Sequence, residues 1–275
     1  MKSVRFRDDG GHIREGIWKN GTIEFCGKVY DSEDVEIVPP SNPSKIIATG
    51  FNYEGLIDRL GVKTPNRPRL FFKTPNTITS HGKIAEIPAG LSAVYEGEIG
   101  VIIGKQCRNV KVGEEKKYIA GFTCVDDISI GEELEDDPGA VRKSGFDTAT
   151  PIGPVMASID LVPECPNMEI KINGKVKRST DFSGQLFSMG EILAEITKYI
   201  TLEPGDIFTT GTPKNAHSLI PTLEFPIINS QFFKRDRKFL NRIEGNNLKF
   251  LLSFNFLYSL RILSEPLSLF GYTTT

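Results

Sequence analysis

Two acidic residues interrupt the most β-rich stretch of the chain. Glu96 and Glu98 stand in the run 94–103, whose other members are valine, isoleucine, tyrosine and glycine. In a β-strand, residues two apart point to the same face, so these side chains project together, about 6.6 Å apart along the backbone. Two buried carboxylates raise each other's pKa, and a hard divalent cation removes that penalty. The spacing fits a solvated edge strand equally well, and the residues alone leave both interpretations open.

A third carboxylate could come from a neighbouring strand. Asp126 and Asp127 follow the strand-like segment 121–125. Oxygen ligands without a nearby histidine or cysteine favour magnesium, manganese or calcium over zinc. The residues therefore allow a site for magnesium, manganese or calcium at Glu96, Glu98 and one of these two aspartates.

The composition excludes several classes of protein. The 275 residues include 33 basic and 35 acidic side chains, and 39% of them are hydrophobic. This balance indicates a globular protein with a sizeable core and gives no reason to expect a nucleic acid partner. The charged N-terminal residues do not form a signal peptide, and polar residues interrupt the most apolar stretch, 248–263. We therefore expect a cytoplasmic protein without a membrane span.

The predicted elements indicate a mixed α/β fold dominated by strands. Short β-like runs fill residues 4–38, and three prolines in 39–44 indicate a linker. Residues 188–200 form the one strong helix, because Ser188 and Glu191 have capping-box spacing. We predict a small β-rich domain with its linker at 1–44, a catalytic domain at 45–225, and a C-terminal tail at 226–275.

Several motifs in one order make the chain resemble the fumarylacetoacetate hydrolase family, including its acylpyruvate hydrolase and 2-hydroxyhepta-2,4-diene-1,7-dioate isomerase members. The resemblance covers about residues 45–215, and its motifs lie at 45–53, 70–73, 95–104, 118–129, 146–154, 173–174 and 202–213. From residue 226 onward we find no correspondence. A frame change in the gene is our hypothesis for this tail.

The resemblance implies a mixed β-roll catalytic domain, homodimeric assembly, and a metal ion held by Glu96, Glu98 and Asp127, with Mg²⁺ expected and Mn²⁺ or Ca²⁺ as the alternatives. It implies a catabolic enzyme whose metal chelates a small 2-oxo acid and stabilises the enolate formed from it. Thr212 would hydrogen-bond the substrate carboxylate, although a turn-stabilising hydroxyl is the alternative. Lys143 stands near the family's active-site lysine, but one residue too early, so that Ser144 competes for the position.

The chain departs from the family at the residues that activate water. Family hydrolases carry a histidine and, three residues later, a glutamate on a short lid helix, where this chain has Leu56 and Arg59. A leucine cannot act as a general base. The arginine that clamps substrate in many members is replaced by Gly131, followed by an acidic run at 132–137, and His217 is a weak substitute for the missing base.

Three functions therefore remain open. The first is a metal-dependent hydrolase that cleaves a C–C bond in an acylpyruvate or a fumarylacetoacetate-like diketo acid. The second is an isomerase or decarboxylase of 2-hydroxyhepta-2,4-diene-1,7-dioate or a related 2-oxo acid. The third is a metal-binding paralogue without turnover. The particular oxo acid and the physiological ion do not follow from the residues.

Overall fold

A computed structural model describes residues 1–88, 91–131, 140–172, 175–213 and 217–220. Strands dominate these residues, and the helices are α1 (Glu54–Leu60), α2 (Val141–Ser144) and α3 (Met189–Tyr199). This confirms the predicted mixed fold dominated by β-structure. The strands are β1 (Lys2–Arg7), β2 (Ile13–Lys19), β3 (Thr22–Phe25), β4 (Lys28–Asp31), β5 (Glu36–Ile37), β6 (Ile46–Gly50), β7 (Arg69–Lys73), β8 (Ile78–Thr79), β9 (Ala93–Ile103), β10 (Ile119–Asp126), β11 (Ser129–Ile130), β12 (Thr150–Pro151), β13 (Met156–Ala157), β14 (Asn167–Ile172), β15 (Lys175–Asp181), β16 (Ile207–Thr209) and β17 (His217–Ile220).

One large sheet organises the described residues. Its strand order is β4-β3-β2-β1-β13-β10-β9-β16-β6-β7, with β5 beside β1 and with β11 and β17 beside β9. Strand β9 pairs antiparallel with β10 on one side and with β16 on the other, and its first residues pair with β11 and β17. The strand that carries Glu96 and Glu98 therefore lies inside the sheet, not at a solvated edge.

The N-terminal strands form their own hydrophobic cluster but share the same sheet. Val4, Phe6, Trp18, Ile23 and Ile37 are buried together. Strand β1 pairs with β13 at Lys2 and Ala157, and β13 pairs with β10. The sheet therefore runs without interruption from these strands into those around β9. The domain boundary after residue 44 stays a prediction.

The proline-rich linker is fixed to the sheet through one buried carboxylate. Asp206 accepts hydrogen bonds from the backbone N–H groups of Ser44 (2.9 Å), Lys45 (3.1 Å) and Glu203 (2.8 Å), and it pairs with the Lys45 ammonium at 2.5 Å. Burial acts to raise its pKa, but the Glu203 and Lys45 contacts outweigh burial and hold it below the ordinary value. These contacts fix the start of β6 beside β16, which pairs with β9.

Helix α3 covers one face of the sheet. The Ser188 hydroxyl accepts from the backbone of Glu191, whose side chain accepts in return from the backbone of Ser188, so the predicted capping box is present. Ile192, Leu193 and Ile196 are fully buried in the cluster that contains Val101 and Phe208 of the sheet. No helix in the described part of the chain is long and apolar enough to cross a membrane.

Candidate metal centre

Glu98 is a buried carboxylate in the middle of β9. Glu98 is 3% exposed, and its Oε1 atom accepts a hydrogen bond from Thr212 Oγ1 at 2.6 Å. Its Oε2 atom has no hydrogen-bond partner among the described residues. Burial, and then the charge of Asp127, raise the pKa of Glu98 well above its usual range. A cation is the partner that would relieve both the burial and the repulsion.

Asp127 lies beside Glu98, just after the end of β10. It is 2% exposed, and its N–H donates to the backbone oxygen of Glu96 at 2.8 Å. Burial raises its pKa, the Lys73 ammonium opposes that rise, and the charge of Glu96 adds to it. Because β9 and β10 are paired, Glu98 within β9 and Asp127 just after β10 lie close enough for their charges to interact.

Asp126 is a further buried carboxylate, which the sequence analysis named beside Asp127 but did not assign as a ligand. Its Oδ1 atom accepts from the Glu96 backbone N–H at 2.8 Å, and its Oδ2 atom has no partner among the described residues. Burial raises the pKa of Asp126 to about 8. Because Asp126 binds the N–H of Glu96 while Asp127 binds its carbonyl, the two consecutive aspartates hold the backbone of Glu96 from both sides.

Glu96, Glu98 and Asp127 lie close enough for their charges to interact, and carboxylate oxygens are donors that suit a hard cation. The charge of Glu96, which is only partly buried, raises the pKa of both other acids. In the chain as far as it is described, no three acidic, histidine or cysteine side chains already surround one point closely enough to hold an ion. The type and charge of these side chains fit a divalent cation, but their described positions do not form a ligand set.

Lys73 is the nearest cation to this cluster, and sequence reasoning missed it. Its side chain is fully buried, and its Nζ atom contacts Asp127 Oδ1 and lies 3.3 Å from the Ala149 carbonyl oxygen. Lysine is almost never fully buried unless it is paired. The signal in the sequence was a single lysine at the end of the apolar strand 70–72, which also carries part of the family motif.

Thr212 and Lys143, the two predicted substrate contacts, both lie near the acids. Thr212 is 3% exposed, and its hydroxyl is directed at Glu98. Lys143 is half-buried on α2, and its positive charge acts to lower the pKa of Asp127. Ser144 is 1% exposed, and its hydroxyl lies 3.4 Å from the backbone oxygen of Ala140 in its own helix. Contact of Thr212 and Lys143 with a substrate stays a prediction.

The positions of the missing acid–base pair lie on α1. Leu56 is 4% exposed and belongs to a buried cluster with Tyr53, Tyr95 and Phe182, and Arg59 is exposed. An arginine side chain stays protonated in proteins, so neither position supplies a base. The backbone of His217 pairs with Glu96, but its side chain lies outside what the structure describes, as does the acidic run at 132–137.

The described residues form a β-rich fold with buried carboxylates, and Glu98 Oε2 has no hydrogen-bond partner among them. This defines a class of protein with a candidate site for a divalent cation bound by oxygen atoms. The chain belongs to the fumarylacetoacetate hydrolase family, because residues 45–242 match the model of the fumarylacetoacetate (FAA) hydrolase C-terminal domain. The match confirms the resemblance and places the chain among enzymes that act on small molecules. It runs to residue 242 and so includes the first residues of the tail, 226–242, in which the sequence motifs gave no correspondence.

Relatives and solved structures carry different activities. A 4-hydroxyphenylacetate degradation bifunctional isomerase/decarboxylase of Salmonella dublin is 32% identical over 66% of this chain and 44% of that protein. The crystal structure of 2-hydroxyhepta-2,4-diene-1,7-dioate isomerase from Mycobacterium marinum has a TM-score of 0.70 and 27% identity, over 80% of this chain and 90% of that one. Maleylpyruvate hydrolase from Sphingobium sp. SYK-6, solved with manganese(II) and pyruvate, shares the fold with a TM-score of 0.65 and 23% identity, over 80% of this chain and 91% of that one.

Proposed function

We propose that this chain is a divalent-metal-dependent enzyme that moves a proton in a small 2-oxo acid or removes CO₂ from it, as an isomerase or decarboxylase. The observation that carries the proposal is the burial of Leu56 in an apolar cluster, at the position where family hydrolases have their histidine. Without that base, activation of water as a nucleophile is not supported. Both proposed reactions would instead pass through an enolate, which takes the electron pair of the broken C–H or C–CO₂ bond, and solvent would take up or return the proton. The names of the Salmonella and Mycobacterium marinum proteins specify isomerase or decarboxylase activity, which supports the same proposal for this chain.

The residues around β9 would have separate roles in binding the ion, orienting its ligands and contacting the substrate. Glu96, Glu98 and Asp127 would hold the cation, with magnesium expected and manganese or calcium as alternatives. When bound, such an ion supplies Lewis acidity to the 2-oxo acid end of the substrate. Thr212 fixes one oxygen of Glu98, and Lys73 fixes one oxygen of Asp127. Lys143 offers a positive charge to a substrate carboxylate. A homodimer in the cytoplasm completes the proposal.

Hydrolytic C–C cleavage, the first function expected from the sequence, becomes the second candidate. It is supported by the family match, since the matched model is that of a hydrolase domain. Its substrates would be acylpyruvates or fumarylacetoacetate-like diketo acids. The third candidate, a metal-binding protein without turnover, would keep the cation and lack all chemistry.

Product analysis separates these candidates. The purified chain with Mg²⁺ would be incubated in D₂O with oxaloacetate, with 2-hydroxyhepta-2,4-diene-1,7-dioate and with an acylpyruvate, and the products would be followed by NMR. We expect metal-dependent deuterium incorporation next to the oxo group, migration of a double bond, or release of CO₂.

Two outcomes would contradict the proposal. Equal amounts of pyruvate and a second carboxylate from the acylpyruvate would establish hydrolysis instead. If no substrate changes more than it does with the Glu98→Gln control, the third candidate, a metal-binding protein without turnover, is favoured instead.

A further inference from the structure

The acids around β9 share one buried positive charge. Glu98, Asp126 and Asp127 are each at most 3% exposed. The Lys73 side chain is 0% exposed, and its ammonium contacts Asp127 Oδ1. Lys143 also acts on Asp127, but from a half-buried position. Lys73 is therefore the fully buried cation of this cluster in the described part of the chain.

The surroundings of Lys73 leave it strongly dependent on these acids. Its Nζ atom has Asp127 and, at 3.3 Å, the carbonyl oxygen of Ala149 as acceptors. Burial of an ammonium ion is costly unless a carboxylate pairs with it. Its ammonium in turn pairs directly with Asp127 Oδ1. The ammonium and the Asp127 carboxylate thus stabilise each other's charged forms.

A divalent cation bound by Asp127 would neutralise the carboxylate that Lys73 already neutralises. Two positive charges that share one carboxylate repel each other, and the repulsion is large where water is excluded. The oxygen atoms that lack partners belong to Glu98 and Asp126, not to the Lys73 side of Asp127. The Lys73 ammonium and a divalent ion would therefore compete for the negative charge of Asp127.

We propose that Lys73 is the resident counter-cation of the acid cluster and competes with the divalent ion for it. Lys73 then stabilises the fold when the ion is absent and weakens binding of the ion when it is present. The inference rests on the metal site of the proposed function. It adds that this chain sets its own cation affinity through a lysine that need not touch the substrate.

The test is Lys73→Met, studied with Mn²⁺ as the probe. Thermal unfolding would be recorded in EDTA and in Mn²⁺, and Mn²⁺ affinity would be measured by calorimetry. Without the ammonium, the acids repel each other, so we expect a lower Tm in EDTA and a larger rise on adding Mn²⁺ than in the unmodified chain. We expect the affinity for Mn²⁺ to become at least about tenfold tighter.

A matched control is Lys45→Met. Lys45 pairs with the buried Asp206 at 2.5 Å, and that pair lies at the linker, outside the acid cluster. Its loss should lower Tm equally in EDTA and in Mn²⁺ and should leave Mn²⁺ affinity unchanged. Lys73→Gln provides a second variant, because it removes the charge but keeps a hydrogen-bond donor, and it should also bind Mn²⁺ more tightly.

Several results would overturn the inference. If Lys73→Met and Lys73→Gln bind Mn²⁺ more weakly than the unmodified chain, Lys73 supports the site instead of competing for it, and the metal site itself survives. If neither variant folds in Mn²⁺, the ion does not replace the ammonium. If no chain binds Mn²⁺, the metal site and the inference fall together, whereas binding by the variants alone would support competition.

Discussion

Glu98→Gln is expected to abolish cation binding and turnover while leaving the fold intact. The amide keeps the size of the side chain but loses its charge, and Glu98 is the acid whose Oε2 atom has no partner. We expect Mn²⁺ affinity to fall at least about 100-fold, or about 2.8 kcal/mol. Removing a buried carboxylate whose pKa is raised by burial should not lower stability in EDTA. Calorimetric titration with Mn²⁺ and thermal unfolding in EDTA measure the two effects.

The control for this substitution is Glu195→Gln on α3. Glu195 is also mostly buried, at 9% exposure, but it pairs with Lys198 at 2.6 Å on the surface of its own helix. It should bind Mn²⁺ as the unmodified chain does. Unchanged affinity in Glu98→Gln would refute the assignment of Glu98 as a ligand, whereas a collapse of stability in EDTA would show that its contact with Thr212 serves the fold.

Gly121→Ala is expected to cause the largest loss of stability among the strand glycines that join β10 to its neighbours. A Cβ at this position would lie 2.4 Å from the Ala157 carbonyl oxygen and 2.7 Å from Met156 Cγ. Both atoms belong to β13, the strand that connects β10 to the N-terminal strands. A backbone oxygen cannot move aside as a flexible side chain can, so the pairing between β10 and β13 must open to admit the added Cβ. We expect about 2–4 kcal/mol of destabilisation by chemical denaturation.

Gly50→Ala is the matched control for that substitution. Gly50 also belongs to a strand of the same sheet, as the last residue of β6, but its nearest neighbour would be 3.8 Å from the added Cβ. We expect a change of no more than about 0.5 kcal/mol. Equal effects at the two positions would mean that β13 does not approach β10 this closely, and the continuous sheet would have to be redrawn.

Much of the fold could be predicted from local patterns. The run around Glu96 and Glu98 is a strand, and the capping-box spacing located α3 to within a residue at each end. Strand β13 (Met156–Ala157) is too short to be located from an alternating pattern, and Pro154 just before it has no N–H to donate.

The site was predictable only where spacing along one strand decides geometry. The period of two identified Glu96 and Glu98, and adjacent strands suggested Asp127. Lys73 could not be found in this way, because its partner Asp127 is 54 residues away and a lysine at a strand end is ordinarily solvated. The sequence showed that Leu56 cannot be a base, whereas only the structure shows that an apolar cluster surrounds it.

Anomalous diffraction from crystals grown with Mn²⁺ tests the central claim most directly. The account predicts one strong peak within about 2.3 Å of a carboxylate oxygen from each of Glu96, Glu98 and Asp127. These three acids would then have turned toward a common point from the positions described above. A strong peak elsewhere with none at the three acids, or no peak under conditions in which Mn²⁺ supports activity, would contradict it.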